Sequence, residues 1–168
     1  LCQKREIAIY RRITGGGTVL QGPGCLNFSL VLSRSRDRAL QTTQKTNKYI
    51  LSQNQQALQT LTKQRILFQG DSDLSLDEFK FSGNAQRRLK NTILFHGTLL
   101  YQMDLTLVEQ YLNHPTREPD YRKKRSHKNF ITNLACSREN IKEVIQKAWN
   151  AHETLNALPA QRIQELAK

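Results

Sequence analysis

Residues 11–19 read RRITGGGTV, so two arginines stand directly before three consecutive glycines, Gly15 to Gly17. Glycine carries no Cβ, and a run of three lets a ligand approach the main chain closely while backbone N–H groups converge on an anion. Arginine supplies planar donors that suit a phosphate. The segment has neither the Gly-Lys-Ser/Thr ending of a P-loop nor the G-x-G-x-x-G spacing of a dinucleotide fold. It predicts an anion-binding loop of another kind between two strands, with a flexible hairpin turn as the alternative.

Hydrophobic periodicity around this loop predicts a chain that mixes strands and helices. Apolar residues recur at every second position from Leu26 to Leu32, the period of a half-buried strand. Further strands are predicted at residues 6–10, 65–68, 79–81 and 92–102, with a break at residues 82–84. Helices are predicted at 46–63, 105–112 and 140–151, with Ser137 as the N-cap of the last, and Pro159 can open a final one. Several strands adjacent in sequence favour an α+β fold, a mixed, largely antiparallel sheet flanked by helices.

The composition limits the classes of protein that fit. The chain has 168 residues and is predicted to form a single catalytic domain over residues 1–168. It begins at Leu1 and ends inside a helical pattern, so we expect a piece of a longer chain, incomplete at the N-terminus. Three separated cysteines without a C-x-x-C pair disfavour a disulfide scaffold or zinc site and favour a cytoplasmic location. No stretch approaches the ~20 apolar residues of a membrane span, so no membrane partner is expected.

The net charge needs an explanation. With 26 basic and 14 acidic residues it is +12, which predicts a polyanionic partner without identifying it. A non-catalytic nucleic-acid-binding module is one candidate. Aromatic residues make up 7% of the chain and do not interleave with basic ones in the manner that stacks bases, so no nucleic-acid partner is expected.

Two later segments carry residues capable of chemistry. Lys80 lies between two phenylalanines on a predicted strand, where an ammonium group can hold a carboxylate or a phosphate. An edge-strand lysine that blocks aggregation is the alternative. His96 interrupts the most apolar run of the chain, and a core histidine is the commoner interpretation. Asp71 and Asp73 can contribute to a magnesium site, although acidic turns are common for conformational reasons.

Taken together and in this order, these segments resemble a known family. The RRITGGGTV segment resembles the R-R-x-S/T-G-G-G-A/T-V signature of the biotin/lipoate protein ligase superfamily. Three later motifs resemble its lipoate–protein ligase A branch: Gly70-x-x-Asp73-Leu74, Lys80-x-Ser82-Gly83-x-Ala85 and His96-Gly97-Thr98-Leu99-Leu100. Thr132-Asn133-Leu134 looks like the end of that branch's catalytic domain. The resemblance extends from Tyr10 to about Leu134 and implies the catalytic fold of these ligases.

The resemblance also implies a two-step acyl transfer, with ATP and Mg²⁺ as substrate and ion and no tightly bound cofactor. Lipoate or octanoate becomes an acyl-adenylate and is then transferred to a lysine of an acidic lipoyl carrier domain, of a 2-oxoacid dehydrogenase or of glycine cleavage. The implied catalytic residue is Lys80, which bridges acyl carbonyl and α-phosphate oxygens. The implied ATP/adenylate-binding residues are Arg12, Gly17, Thr18, Val19, Leu20 and Lys80. The implied acyl-binding residues are Gly16, Gly17, Lys80 and His96, and the implied metal-binding residue is Asp73.

Departures from the family keep a rival open. Gln21 stands where many ligases have histidine, and residues 21–24 resemble the H-G-P-G of octanoyl/lipoyl transferases, which move a carrier-bound acyl group through a cysteine without ATP. No cysteine lies at either nucleophile position of those enzymes, and Cys136 would need realignment to serve, so the ligase is favoured. Because family segments are missing at both ends, we expect low activity of the isolated chain. The basic residues at 87–88 and 122–125 are expected to attract the acidic carrier.

Overall fold

The structure of the chain, a computed structural model, describes residues 5–155, 157 and 159–166. Within these residues it has the strands β1 Cys25–Ser33, β2 Ile66–Gln69, β3 Asp73–Leu76, β4 Phe79–Arg88 and β5 Thr92–Leu100. The α-helices are α1 Thr43–Gln59, α2 Leu105–Tyr111, α3 Arg138–Ala148 and α4 Ala160–Leu166, and 3-10 turns lie at Arg38–Leu40 and Asp120–Arg122. Among the described residues, no helix is long and apolar enough to cross a membrane.

The five strands form one sheet in the order β1-β5-β4-β3-β2, and each neighbouring pair is antiparallel. One isolated bridge, between Lys80 and Ile131, is parallel, so the chain after α2 returns to the sheet beside the start of β4. With the helices, this arrangement confirms the predicted α+β fold with a mixed, largely antiparallel sheet.

Side-chain alternation gives the sheet a covered face and an open face. In β1 every second residue from Leu26 to Leu32 is buried or half-buried and the residues between them are exposed, as the sequence predicts. The covered face packs against α1 and α3 in one core, to which Ile50 and Ile141 contribute from the two helices. Trp149 follows α3 and donates its indole N–H to Asn54 of α1 (2.8 Å), which ties the two helices together.

The predicted strand at residues 6–10 is wrong. No strand begins before Cys25 in the described part of the chain, and Ile9 and Tyr10 are 73% and 89% exposed. Their alternating pattern has no neighbouring strand with which to pair there, and a lone strand is not stable in water. The triple glycine therefore lies in a loop, but not between two strands.

The middle of the sheet also differs from the prediction. β4 runs without a break through residues 82–84, where the Ser-Gly-Asn triplet predicts an end. β3 occupies residues 73–76, for which the polar sequence predicts no strand, yet all four residues are buried. Burial of the polar ones is possible because they have partners: the Ser75 hydroxyl donates to the Asp77 carbonyl (2.8 Å), and Asp73 joins an ion pair.

The helices agree with the periodicity to within a few residues. α1 begins at Thr43, earlier than predicted, because the Thr42 hydroxyl caps it by accepting a hydrogen bond from the Lys45 N–H (3.2 Å). Ser137 caps α3 as predicted and accepts a hydrogen bond from the Asn140 N–H (3.1 Å).

Candidate active site

The open face of the sheet brings the later sequence motifs together. Asp73 of β3 pairs with Gly83 of β4, which pairs with Thr98 of β5, and Ala85 pairs with His96. Because side chains alternate along a strand, these positions share one face, opposite the face that α1 and α3 cover. Diagonal neighbours such as Gly83 and His96 lie roughly 7–8 Å apart on such a face. One small ligand can therefore contact both positions.

A half-buried ion pair occupies this face. The Nζ of Lys80 lies 2.8 Å from Oδ1 of Asp73, and the two side chains are 29% and 10% exposed. The lysine folds back across Gly83, where a Cβ would lie 3.1 Å from both its Cε and its Nζ. The missing side chain of Gly83 thus leaves the space that the ammonium group occupies, which explains the spacing of the Lys80-x-x-Gly83 motif.

The main chain of Lys80 is fixed as firmly as its side chain. Its N–H donates to the Phe130 carbonyl (2.9 Å) and its carbonyl accepts from the Thr132 N–H (2.9 Å). A bulge in the pairing of β3 with β4 falls at Phe81, the next residue. Bulges re-aim side chains and are common next to functional sites. The ammonium group therefore projects from a rigid element of the sheet.

The triple-glycine loop is folded around the side chain of Arg12. Nη2 of this arginine donates to the carbonyl oxygens of Gly15 (2.7 Å) and Gly17 (2.8 Å). Gly16 has a φ of +99°, and a Cβ there would lie 2.8 Å from Arg12 Nη2, so the turn requires glycine. Arg12 thus organises the loop from within, and its contact with an ATP phosphate stays a prediction.

A chain of hydrogen bonds joins this loop to the open face. Arg12 Nε donates to Thr14 Oγ1 (3.1 Å), which lies 2.7 Å from His96 Nε2. Burial, and after it the charge of Arg12, lower the pKa of His96, so the neutral ring can accept the threonine hydrogen. Arg87 of β4 donates to the Ile13 carbonyl (3.1 Å) and fastens the loop to the sheet. The loop and the lysine therefore lie on the same face.

A cleft of about 200 Å³ opens between the glycine loop and the edge of β4. Gly15 and Gly16 line one side, and Thr43 and Asn47 line it from the N-terminal end of α1. A helix N-terminus carries a partial positive charge. The surroundings of the cleft therefore favour an anion.

A larger groove lies elsewhere. It has a volume of about 1010 Å³, runs between α1 and α3, and is lined by residues that include Lys48, Tyr49 and Lys147. None of the predicted site residues lines it. We place the candidate site on the open face because the motifs converge there, although the groove is larger.

Three arginines that the sequence predicts as a carrier-attracting surface donate hydrogen bonds to main-chain carbonyls. Arg88 donates to the carbonyls of Leu40 (2.7 Å) and Gln41 (2.9 Å). Arg122 is 5% exposed. Arg125 is half-buried, and its guanidinium donates hydrogen bonds to main-chain carbonyls. The expectation is wrong for Arg122, which is buried, and stays a prediction for Arg88 and Arg125, whose donors also hold the fold together.

Neither described cysteine has the surroundings of a transferase nucleophile. The thiolate is the reactive form of cysteine, and burial raises the pKa of both Cys25 and Cys136. The Sγ of Cys136 lies 3.4 Å from the Leu61 carbonyl, just beyond the end of α1, and packs against the core. Cys2 lies outside the described residues.

Asp73, the predicted metal ligand, has both carboxylate oxygens engaged. Oδ1 faces Lys80, and Oδ2 accepts a hydrogen bond from the Tyr121 hydroxyl (2.8 Å). In the part of the chain that the structure describes, no three His, Cys, Asp or Glu side chains form a group able to hold a metal. Mg²⁺ is commonly held by one or two carboxylates together with substrate phosphates. A magnesium ion there would share the carboxylate with Lys80 and Tyr121, so the metal-binding role of Asp73 stays a prediction.

Sequence reasoning missed two residues of this site. Tyr121 lies in the segment that its prolines and basic residues mark as a surface loop, and no local pattern singles it out. Thr14 belongs to the glycine motif, but its partner His96 is 82 positions away. Of the other predicted residues, Thr18 and Val19 are exposed and Leu20 is half-buried, all between the loop and β1.

Comparison with known proteins identifies the family. The family model of the lipoyl protein ligase A/B catalytic domain matches residues 1–153. Lipoate–protein ligase 1 of Staphylococcus aureus is 37% identical over 107 residues, which cover 64% of this chain and 31% of that protein. The chain spans about a third of the length of the curated relatives that it matches.

Solved structures share the fold. A bi-partite lipoate protein ligase from Thermoplasma acidophilum has a TM-score of 0.72 at 22% identity, covering 89% of this chain and 59% of that one. A lipoate-protein ligase A bound with ATP has a TM-score of 0.72 at 21% identity, covering 89% and 60%. Since the family model matches most of the sequence, the chain belongs to the lipoyl protein ligase A/B catalytic domain family.

Proposed function

We propose that this chain carries the active site of an ATP-dependent lipoate–protein ligase, which activates lipoate or octanoate and transfers it to a lipoyl carrier domain. The observation that carries the proposal is the position of Lys80, whose ammonium group lies over Gly83 on the face that also holds the glycine loop. The names of the relatives support ligation of lipoate, and the ATP-bound structural neighbour supports ATP as the second substrate.

In the first step, a carboxylate oxygen of the acid attacks the α-phosphorus of ATP. A new P–O bond forms, the bond to the β-phosphate bridge breaks, and pyrophosphate leaves with its electron pair. Negative charge builds up on the α-phosphate oxygens, and Lys80, fixed on a rigid strand, is placed to stabilise it. The loop from Gly15 to Gly17 and the N-terminal end of α1 provide the electropositive wall beside it.

Mg²⁺ bound with ATP would supply positive charge that offsets the charge of the phosphates. Asp73 is the residue that would hold it, next to the phosphates. Its carboxylate also balances the charge of Lys80 in the absence of substrate.

In the second step, the amine of a carrier lysine attacks the acyl carbon of the acyl-adenylate. An amide bond forms, the acyl–phosphate bond breaks, AMP leaves, and the amine releases a proton. Lys80 again neutralises the oxygen that becomes negative. The His96 ring, which lies one diagonal position from Gly83, borders the acyl group in this arrangement.

The test is ATP-dependent acylation by the purified protein, read as lipoate-dependent pyrophosphate exchange and as a mass shift of an apo lipoyl domain. Lys80→Met keeps the aliphatic stem and removes the charge, and we expect it to lower turnover by about 100-fold or more. Lys48→Met, on the far side of the sheet, is the matched control and should stay close to wild type. Equal turnover of Lys80→Met and wild type would refute the role of Lys80.

A second arm separates the ligase from the transferase. Acylation from an octanoyl carrier without ATP, lost in Cys136→Ser, would contradict the ligase. We expect no ATP-independent transfer, because burial raises the pKa of the Cys136 thiol, which packs against the core.

A further inference from the structure

The segment from Pro119 to Phe130 packs beside the ion pair of Lys80 and Asp73. Among the described residues, its one hydrogen bond to a side chain of the pair runs from the Tyr121 hydroxyl to Asp73 Oδ2 (2.8 Å). Lys80 holds the other oxygen of the same carboxylate at 2.8 Å. The three groups are therefore connected in sequence: the tyrosine hydroxyl contacts the carboxylate, and the carboxylate contacts the ammonium group.

The tyrosine is itself held in place. Its ring packs against Phe130 (centroids 5.2 Å apart) and against Gly70, where a Cβ would lie 3.4 Å from its Cε1. Its carbonyl accepts a hydrogen bond from Arg125 Nη2 (2.9 Å), which also donates to Glu78 next to β4 (3.0 Å). The hydroxyl thus approaches Asp73 from a fixed direction.

This hydrogen bond can have only one donor. A carboxylate oxygen can only accept, so the Tyr121 hydroxyl donates the hydrogen of this bond to Asp73 Oδ2 (2.8 Å). A carboxylate that is free to rotate would leave the long lysine side chain free as well. Catalytic groups must be held to within about 0.5 Å, and this is the task of supporting residues that do not touch the substrate.

We propose that Tyr121 is a positioning residue of this site, which acts through Asp73 to hold the ammonium group of Lys80 over Gly83. Its effect on turnover rests on the proposed ligase function, whereas its effect on the lysine does not. The proposal adds the segment from Pro119 to Phe130 to the site as a structural part of it.

The test uses Tyr121→Phe, which keeps the ring and its packing and removes only the hydroxyl. Tyr111→Phe is the matched control. The Tyr111 hydroxyl, at the end of α2 and away from the ion pair, accepts a hydrogen bond from Arg5. We expect Tyr121→Phe to lower kcat of pyrophosphate exchange about tenfold, the effect of one lost charge-assisted hydrogen bond, with KM for ATP unchanged within about twofold. An unchanged kcat, or a loss confined to KM, would overturn the proposal.

Coupling to Asp73 distinguishes positioning from mere packing. If Tyr121 acts through the carboxylate, Asp73→Asn combined with Tyr121→Phe should be no slower than Asp73→Asn alone. Additive losses would show that the tyrosine acts independently, and the proposal would fail.

A readout without turnover separates this proposal from the proposed function. Reductive methylation, followed by mass spectrometry, reports how freely the Lys80 amine reacts. We expect its rate to rise about threefold or more in Tyr121→Phe and in Asp73→Asn, and not in Tyr111→Phe, since a held ammonium reacts more slowly than a released one. Asp73→Asn leaves the tyrosine ring in place and serves also if Tyr121→Phe does not fold. A full-length wild-type protein without activity would refute the ligase function, whereas unchanged labelling in the folded variants would refute the positioning role.

Discussion

Replacing Arg125 by lysine should destabilise the protein although it conserves the charge. The guanidinium donates to four main-chain carbonyls, those of Glu78 (3.0 Å), Tyr121 (2.9 Å), Arg122 (3.0 Å) and Asn129 (3.3 Å). It also stacks over the Phe130 ring, 5.3 Å from its centroid. An ammonium group on a flexible stem cannot reproduce this fork, and we expect it to keep at most half of these bonds.

The magnitude follows from the lost bonds. A hydrogen bond to a charged group contributes about 1.5–3 kcal/mol to stability. Because Arg125 is half-buried, water replaces part of the lost bonding, so we expect the free energy of unfolding to fall by about 2–3 kcal/mol. For a chain of this size that lowers Tm by roughly 5–10 °C. Thermal unfolding followed by circular dichroism measures the shift.

Lys124→Gln provides the comparison, since it removes a charge from an exposed residue of the same segment. We expect it to leave Tm within about 1 °C of wild type. If the segment instead serves to attract acidic carriers by its charge, the pattern reverses: Arg125→Lys is harmless and Lys124→Gln raises KM for the carrier domain. That result would refute the structural role assigned to Arg125.

Two other perturbations test the site itself. Gly83→Ala introduces a Cβ 3.1 Å from the Lys80 ammonium, so we expect turnover, measured by pyrophosphate exchange, to fall about tenfold. Gly22→Ala is the control, because its Cβ meets open space, and it should leave turnover unchanged. Equal turnover in both variants would contradict the fit of the lysine over the glycine. His96 has a pKa below its ordinary value of 6.5, so between the two values the unfolded chain binds more protons and the free energy of unfolding falls as the pH is lowered through this range. His96→Gln should remove this part of the pH dependence in denaturant titrations at about pH 7.5 and 5.5, and identical pH dependence in both proteins would speak against it.

The strands that bury one complete face could be predicted from the sequence, and the rest depended on partners distant in sequence. Every second residue from Leu26 to Leu32 is apolar, and β1 forms there because β5 pairs along its whole length. The same alternation near Ile9 yields no strand, because it lies beyond any pairing neighbour in the described chain. β3 shows the opposite case. Its polar residues predict a turn, but a strand forms because Lys80 and Tyr121, which are distant in sequence or in another segment, supply partners for Asp73.

The candidate site divides in the same way. The glycine loop, Lys80 and His96 stand out in the sequence because their residue types are unusual where they occur. That they share one face follows only from the pairing of β3, β4 and β5. Tyr121 has no local signal, because a tyrosine in a loop gains its role from the carboxylate it meets, 48 positions away.

The positive charge of the chain has a structural explanation that composition alone does not suggest. Among the described residues, six arginines donate to main-chain carbonyls outside the strands and α-helices: Arg12, Arg34, Arg87, Arg88, Arg122 and Arg125. Loop carbonyls lack the partners that helices and sheets provide, and a buried carbonyl without a donor costs free energy. One guanidinium can satisfy several at once, which no lysine can do in a fixed geometry. Three of these arginines, Arg12, Arg87 and Arg125, hold the segments that border Lys80 and His96. Part of the excess of basic residues therefore maintains the shape of the site.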